Sequence, residues 1–180
     1  LQLTGNLKPD MGSLTLSSLN FNKIESVNSP DMIIKLAREM LDKGIKPELE
    51  AFDAGMINYT KYLIKKQLLQ SPHYFNLLLG NIACAQADIM HAGVMINDLP
   101  DDSLWSLAGI GDAQLKMNAL AIAMGGGVRV GLEDNIWYDK KRTRPAKNID
   151  LIKRIHYIAQ ASERNIMLPL KLRNLLGLNP

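Results

Sequence analysis

Gly125-Gly126-Gly127-Val128-Arg129-Val130-Gly131-Leu132-Glu133-Asp134-Asn135 reads as a strand that ends in a cluster of charge. Val128, Val130 and Leu132 alternate with Arg129, Gly131 and Glu133, the period of two of a half-buried strand. That period puts Arg129 and Glu133 on one face, roughly 13 Å apart at about 3.3 Å per residue. Gly131 between them leaves room for a close approach, because glycine weakens a strand and is kept where something must lie against it. Asp134 and Asn135 follow where the strand would stop. An ordinary ion pair followed by a turn accounts for the same pattern. The three glycines favour a site.

Working outward, strands alternate with helices. Met11 to Leu19 reads as a strand with Ser13, Thr15 and Ser17 on one face, and Leu1 to Gly5 as the tail of an earlier one. Ser29-Pro30-Asp31 is a helix start, with Gly44 at the far end. Pro47 to Asp53 is a strand carrying Glu48, Glu50 and Phe52 on one face, and two acids on one covered face need a partner. Helix from about Met56 to Leu69, strand Tyr74 to Gly80, helix from about Ala85 to Met95 and strand Ser103 to Ala108 follow. Gly109-Ile110-Gly111 opens a helix to about Met124 and could cradle phosphate, or be only a tight turn. After the central strand, Asn148 to about Arg164 is amphipathic through Ile152, Ile155, Ile158 and Ala159.

Six strands and five helical stretches make an α/β fold with a parallel sheet. Two architectures fit: an open doubly wound sheet, or most of a (β/α)8 TIM barrel, which polar residues at several strand ends favour. A barrel needs roughly 250 residues, so the whole of 1–180 reads as the C-terminal portion of one such domain, supplying about its last six strands. The absence of Met before Leu1 fits a trimmed leader or a piece of something longer.

Composition narrows the partners. The chain is 47% hydrophobic and 22% charged with a net charge of +3, ordinary for a globular protein, and its aromatic content is low for base stacking. Nothing argues for nucleic acid, and no apolar run would span a membrane. Lys140-Lys141-Arg142-Thr143-Arg144 is a solvated loop, or a rim that holds phosphates. The single cysteine, Cys84, excludes an internal disulfide, reads as a buried structural thiol and fits a reducing, cytoplasmic compartment.

The sequence resembles the β-keto acid cleavage enzyme family. The likeness is carried by Gln2 to Gly5, by Pro9 to Leu14 with Asn20-Phe21, by Pro47 to Asp53, by Gly109 to Gly111 with Gln114, and above all by Gly126 to Asn135. It implies a zinc-dependent TIM barrel that takes a β-keto acid and acetyl-CoA and yields acetoacetate and a new acyl-CoA. In that light Glu133 is a zinc ligand, while Asp134, Arg129 and Glu50 form the catalytic apparatus, Glu50 being preferred to Glu48 as nearer its strand's C-terminal end. Ser13, Thr4 and Gly5 are substrate-binding. The family's His-x-His zinc ligands have no counterpart: His73, His91 and His156 are spaced too far apart and read as surface or packing residues. Gly127 stands where histidine is frequent in the family. The chain is therefore expected to be inactive unless completed, and a homo-oligomer is expected. The alternatives are a degenerate barrel scaffold serving as a binding or assembly protein, and an open-sheet protein binding a phosphorylated ligand at Gly109 to Gly111.

Overall fold

Adjacent parallel strands align residues of equal phase, so the polar or apolar character of each face runs across the whole sheet. The computed structural model describes residues 8–178, and the expected strand Leu1 to Gly5, with Thr4 and Gly5, lies outside them. The described chain runs β1 (Met11–Thr15), β2 (Leu19–Asn20), β3 (Glu25–Ser26), α1 (Pro30–Asp42), β4 (Lys46–Ala51), α2 (Ala54–Lys65) and β5 (His73–Leu79). It continues through α3 (Ile89–Asn97), β6 (Ser103–Gly109), α4 (Gln114–Ala123), β7 (Gly127–Val128), α5 (Asn148–Ala161) and α6 (Pro169–Leu175). Five strands form one sheet in the order β1-β4-β5-β6-β7, and β2 and β3 form a separate two-stranded ribbon. All four pairings in the larger sheet are parallel.

The register separates two faces. Leu14, Leu49, Phe75 and Trp105 lie opposite one another, as do Ala51, Leu77, Leu107 and Val128. These rows meet Ile33, Ala37 and Met40 of α1, Ile57 and Leu63 of α2, Met95 of α3, and Met117 and Ala121 of α4 in one core. The intervening row is Thr15, Glu50, Asn76, Ser106 and Gly127. A doubly wound sheet buries both faces under helices. Here α1 to α4 gather on one face, and the other carries the polar row.

Local chemistry sets most element ends. Ser29 caps α1 at Met32 N with Pro30 in the first turn, and Gly44 follows that helix at φ +60°. Asp53 caps α2 at Met56 N. Asp88 caps the next helix at His91 N, so α3 begins at Ile89 and not near Ala85. The first described strand stops at Thr15, short of Leu19, which pairs instead with Ser26. In α5 the buried face is Leu151, Ile155 and Ala159, and Ile152 faces out.

The central strand is the largest correction. β7 ends at Val128, and residues 131–134 form a turn. Arg129 and Glu133 are thus not two strand positions far apart; Arg129 Nη2 lies 3.3 Å from Glu133 Oε1. Leu132, which a strand would have buried, is 36% exposed.

Candidate active site

The turn is held by α4. Asn118 and Gln114 are fully buried. The Asn118 amide donates to the backbone oxygens of Leu107 and Arg129 at 3.2 and 2.8 Å, and the Gln114 amide to Gly131 O at 2.8 Å. Gly111 N donates to Asp134 O at 2.7 Å, and Leu132 N to Asn148 Oδ1 at 3.0 Å. Five residues after Arg129, the chain has thereby turned Asp134 back onto its guanidinium.

Arg129 is the hub. Its Nη1 donates to Glu50 Oε1 at 2.8 Å and lies 3.7 Å from Glu48 Oε1. Its Nε and Nη2 reach Asp134 Oδ2 and Oδ1 at 3.3 and 3.4 Å. A planar guanidinium offers five N–H donors in a fixed fork, so it can meet two carboxylates along directed bonds. Burial pulls the Arg129 pKa down, but Asp134 and Glu50 outweigh it and leave it raised, so the cation is permanent. Burial also raises the Asp134 carboxyl above its ordinary range, against the opposing pull of Arg129. Asp134 is buried, whereas the Glu133 side chain is 85% exposed.

Beneath this hub the polar row of the sheet forms a relay. Ser106 Oγ donates to Asn76 Oδ1, and Asn76 Nδ2 donates to Glu48 Oε1. Ser13 Oγ donates to Glu48 Oε2 at 3.2 Å, and Thr15 Oγ1 to Glu50 Oε2 at 2.8 Å. Ser106 and Asn76 are 1% and 4% exposed, and a buried hydroxyl or amide is tolerated only with such partners. A cavity of about 500 Å³ opens over these groups, lined by Ser13, Glu48, Glu50, Asn76, Arg129 and Asp134 among others.

The structure therefore brings Asp134, Arg129, Glu50, Glu133 and Ser13 together, and adds Glu48 beside Glu50. Thr15 lies here on the hydroxyl face read in the sequence with Ser13, whereas Asn76 and Ser106 were missed as site residues, because single polar residues inside HYFNLLL and SLWSLAG look like minor breaks in buried strands. Only their register with Glu50 could have singled them out. The histidines lie elsewhere. His73 is buried at the start of β5, His91 bonds Asp88 at 2.9 Å, and exposed His156 lines a different cavity. Gly127 sits against the sheet, where a Cβ would come within 3.2 Å of Ser106. Cys84 is half-buried, not fully buried, and burial raises its thiol pKa despite a hydrogen bond from Asn81.

Two expected ligand sites fare differently. Ile110, Gly111 and Ala113 donate their amides to Leu79, Asp134 and Ile110 oxygens, so the Gly109 to Gly111 turn has none of these to offer a phosphate. Gly109 is glycine because a Cβ would meet Ala113 O at 2.4 Å. Among the described residues, no three His, Cys, Asp or Glu groups come together to hold a metal. Glu133 supplies one oxygen at the mouth of the cavity, which does not make a zinc site. Among those residues no helix is long and apolar enough to cross a membrane.

This chain is similar to known proteins over nearly its full length. It is 36% identical over 174 residues to a 3-keto-5-aminohexanoate cleavage enzyme of Fusobacterium nucleatum subsp. nucleatum, covering 96% of this chain and 62% of that protein. It is 33% identical over 176 residues to a 3-oxoadipate:acetyl-CoA acetyltransferase of Cupriavidus necator, with 96% and 62% covered. The chain thus spans less than two thirds of the length of these relatives. Its fold matches ObcA, solved as a ternary complex with a C4-CoA adduct and oxalate, at a TM-score of 0.72 and 19% identity, covering 92% of this chain and 45% of that one. The family model described as beta-keto acid cleavage enzyme matches residues 1–178, and the chain belongs to that family.

Proposed function

We propose that this chain carries the proton-transfer half of a site that cleaves a β-keto acid with acetyl-CoA, within a (β/α)8 barrel that further residues complete. The observation that carries it is the Arg129 hub, which holds buried Asp134 against Glu50 in an open cavity over the polar row of the sheet. The methylene between a keto group and a carboxylate has a weakly acidic proton, and a positioned carboxylate of raised pKa is a suitable base. Asp134 takes that proton, Arg129 holds the ionised carboxylate in place, and Glu50 fixes Arg129. The methylene carbon attacks the acetyl carbonyl and the acetyl carbon–sulfur bond breaks. The freed CoA thiolate attacks the keto carbon, the bond from that carbon to the methylene breaks, and the methylene carbon recovers its proton from Asp134. The acyl group passes to the CoA sulfur, so the products are acetoacetate and a new acyl-CoA. Ser13 lines the cavity and is assigned to substrate, as are Thr4 and Gly5 from the resemblance.

Glu133 is proposed as one ligand of a zinc ion whose other ligands the described residues do not include. Bound there, zinc would stabilise negative charge on the keto acid's oxygens. In the completed barrel, zinc affinity and turnover should fall together in Glu133→Gln with the melting transition unchanged. A homo-oligomer in the cytoplasm completes the reading.

The test is acetoacetate release from a panel of 3-keto acids with acetyl-CoA, beside keto acid binding by calorimetry. Asp134 works only when ionised, so turnover should rise with pH through a value above the ordinary aspartate pKa of about 3.9. Asp134→Asn should lose at least about a hundredfold in turnover. A completed barrel that neither binds keto acids nor releases acetoacetate, or whose Asp134→Asn variant works as well, overturns the proposal.

A further inference from the structure

The basic run Lys140 to Arg144 has no place in the proton-transfer site, yet its backbone is built with care. Residues 136–146 form an arm: Trp137 bridges Pro145, Tyr138 N donates to Arg144 O at 2.9 Å, and Ala146 N donates to Ile136 O at 2.9 Å. At its tip the Asp139 carboxylate accepts from Thr143 N, Thr143 Oγ1 and Arg144 N, the last at 2.7 Å. Those bonds hold the Asp139 pKa below its ordinary value. At its base the Tyr138 ring lies between the guanidinium groups of Arg144 and Arg154, 4.3 and 4.4 Å from them. Arg154 also donates to Tyr138 O at 2.7 Å.

The arm begins two residues after Asp134 and is tied back toward the turn that holds it. Arg142 Nη2 and Nε reach the Asp112 carboxylate at 3.2 and 3.4 Å. Asp112 follows Gly111, whose amide holds Asp134 O. What remains uncommitted at the tip is cationic: Lys140 and Lys141 are exposed, and neither side chain has a partner among the described residues.

Charge makes the arm useful. The cavity gathers Glu48, Glu50, Glu133 and Asp134 about Arg129, so that guanidinium is fully engaged and has no charge to spare for a polyanion. A coenzyme A thioester brings several phosphate charges joined to its reacting carbon by a long neutral chain. Such a ligand needs cations at the rim of the cavity and not within it. The amides of Ile110 and Gly111 are already spent on the Leu79 and Asp134 oxygens, whereas the lysines of the arm are uncommitted.

We propose that the 136–146 arm is a phosphate-binding rim, with Lys140 and Lys141 taking the phosphates of coenzyme A while its thioester end enters the Arg129 cavity. This rests on the proposed acyl transfer from acetyl-CoA. The test is calorimetric titration of the full chain with coenzyme A, dephospho-coenzyme A and pyrophosphate, before and after Lys140→Ala/Lys141→Ala. Coenzyme A should bind about five- to thirtyfold more weakly to the double variant, as expected for losing two exposed ion pairs, and with a shallower salt dependence. Keto acid affinity should not change. Dephospho-coenzyme A should bind the unaltered chain more weakly than coenzyme A. Equal coenzyme A affinity in both proteins overturns the rim and leaves the acyl-transfer reading standing. Pyrophosphate that competes at the concentration of coenzyme A marks a general anion surface and overturns it too. No coenzyme A binding to the unaltered chain, with keto acid bound, defeats the acyl-transfer reading and the rim together.

Discussion

Asn76 is an expensive residue to place in the middle of a parallel sheet, and its neighbours explain why it stays. The Ser106 hydroxyl donates to its carbonyl oxygen, so the amide nitrogen is left to face Glu48. Glu48 accepts there and from Ser13, and so its carboxylate stands beside Arg129 with both oxygens engaged. Asn76→Leu should therefore cost about 1–3 kcal/mol, because it leaves Ser106 and Glu48 short of a partner in a buried place. Ser106→Ala on top of it removes one orphan, so the double variant should be less destabilised than the two single costs added. Urea midpoints measure this cycle. Additivity within about 0.5 kcal/mol would mean that the two residues do not act as a unit. Glu50 was legible in the sequence because an acid on a covered strand face demands a partner, and Arg129 and Asp134 because they stand in a charged stretch after three glycines. Asn76 and Ser106 were not, because a lone small polar residue in an apolar run demands nothing until its neighbours are known.

At the scale of elements, β7 shows where periodicity stops being informative. Val128, Val130 and Leu132 alternate as a strand should, yet pairing ends at Val128. The side-chain amides of Gln114, Asn118 and Asn148 compete for the backbone that a longer ladder would have used. The glycines before the strand have a packing cause. A Cβ on Gly126 would fall 2.0 Å from the Trp105 ring, which rests against that backbone. Gly126→Ala must displace the ring, at a cost of about 1–3 kcal/mol for overpacking. The checks are the denaturation midpoint and the tryptophan emission, which should shift red as Trp105 gains water. Unchanged emission with unchanged stability would show that the ring does not rest there. Gly131 is different: its Cβ would make only an ordinary contact with Asn148 Oδ1 at 3.6 Å.

For the whole molecule, the decisive feature is a sheet with one apolar and one polar face. Helices α1 to α4 cover the first, and the second holds the Arg129 hub. Among the described residues β1 and β7 each pair on one side only. Beside β7 lies a cavity of about 470 Å³ walled by Trp105, Ile122, Val128, Val130 and Ile155 among others. Unpaired strand edges beside apolar surface recruit further strands or chains. Sedimentation velocity should accordingly show species heavier than a monomer that grow with concentration. A monomer at every concentration would mean that these edges are protected without association.

The alternation of the main strands and helices, the cap at Ser29, and the gathering of charge at Arg129, Glu133 and Asp134 were determined by the sequence alone. Each follows from groups a few residues apart, where helical and strand periods and capping chemistry operate. Tertiary structure alone decided that Glu50, 79 positions from Arg129, shares its guanidinium, that Glu48 stands beside it, and that Thr15, Asn76 and Ser106 continue the same row. It also decided that Arg129 and Glu133 meet across a turn and not along a strand. Register between distant strands comes from packing one whole face of the sheet against four helices, and no local pattern of residues contains it.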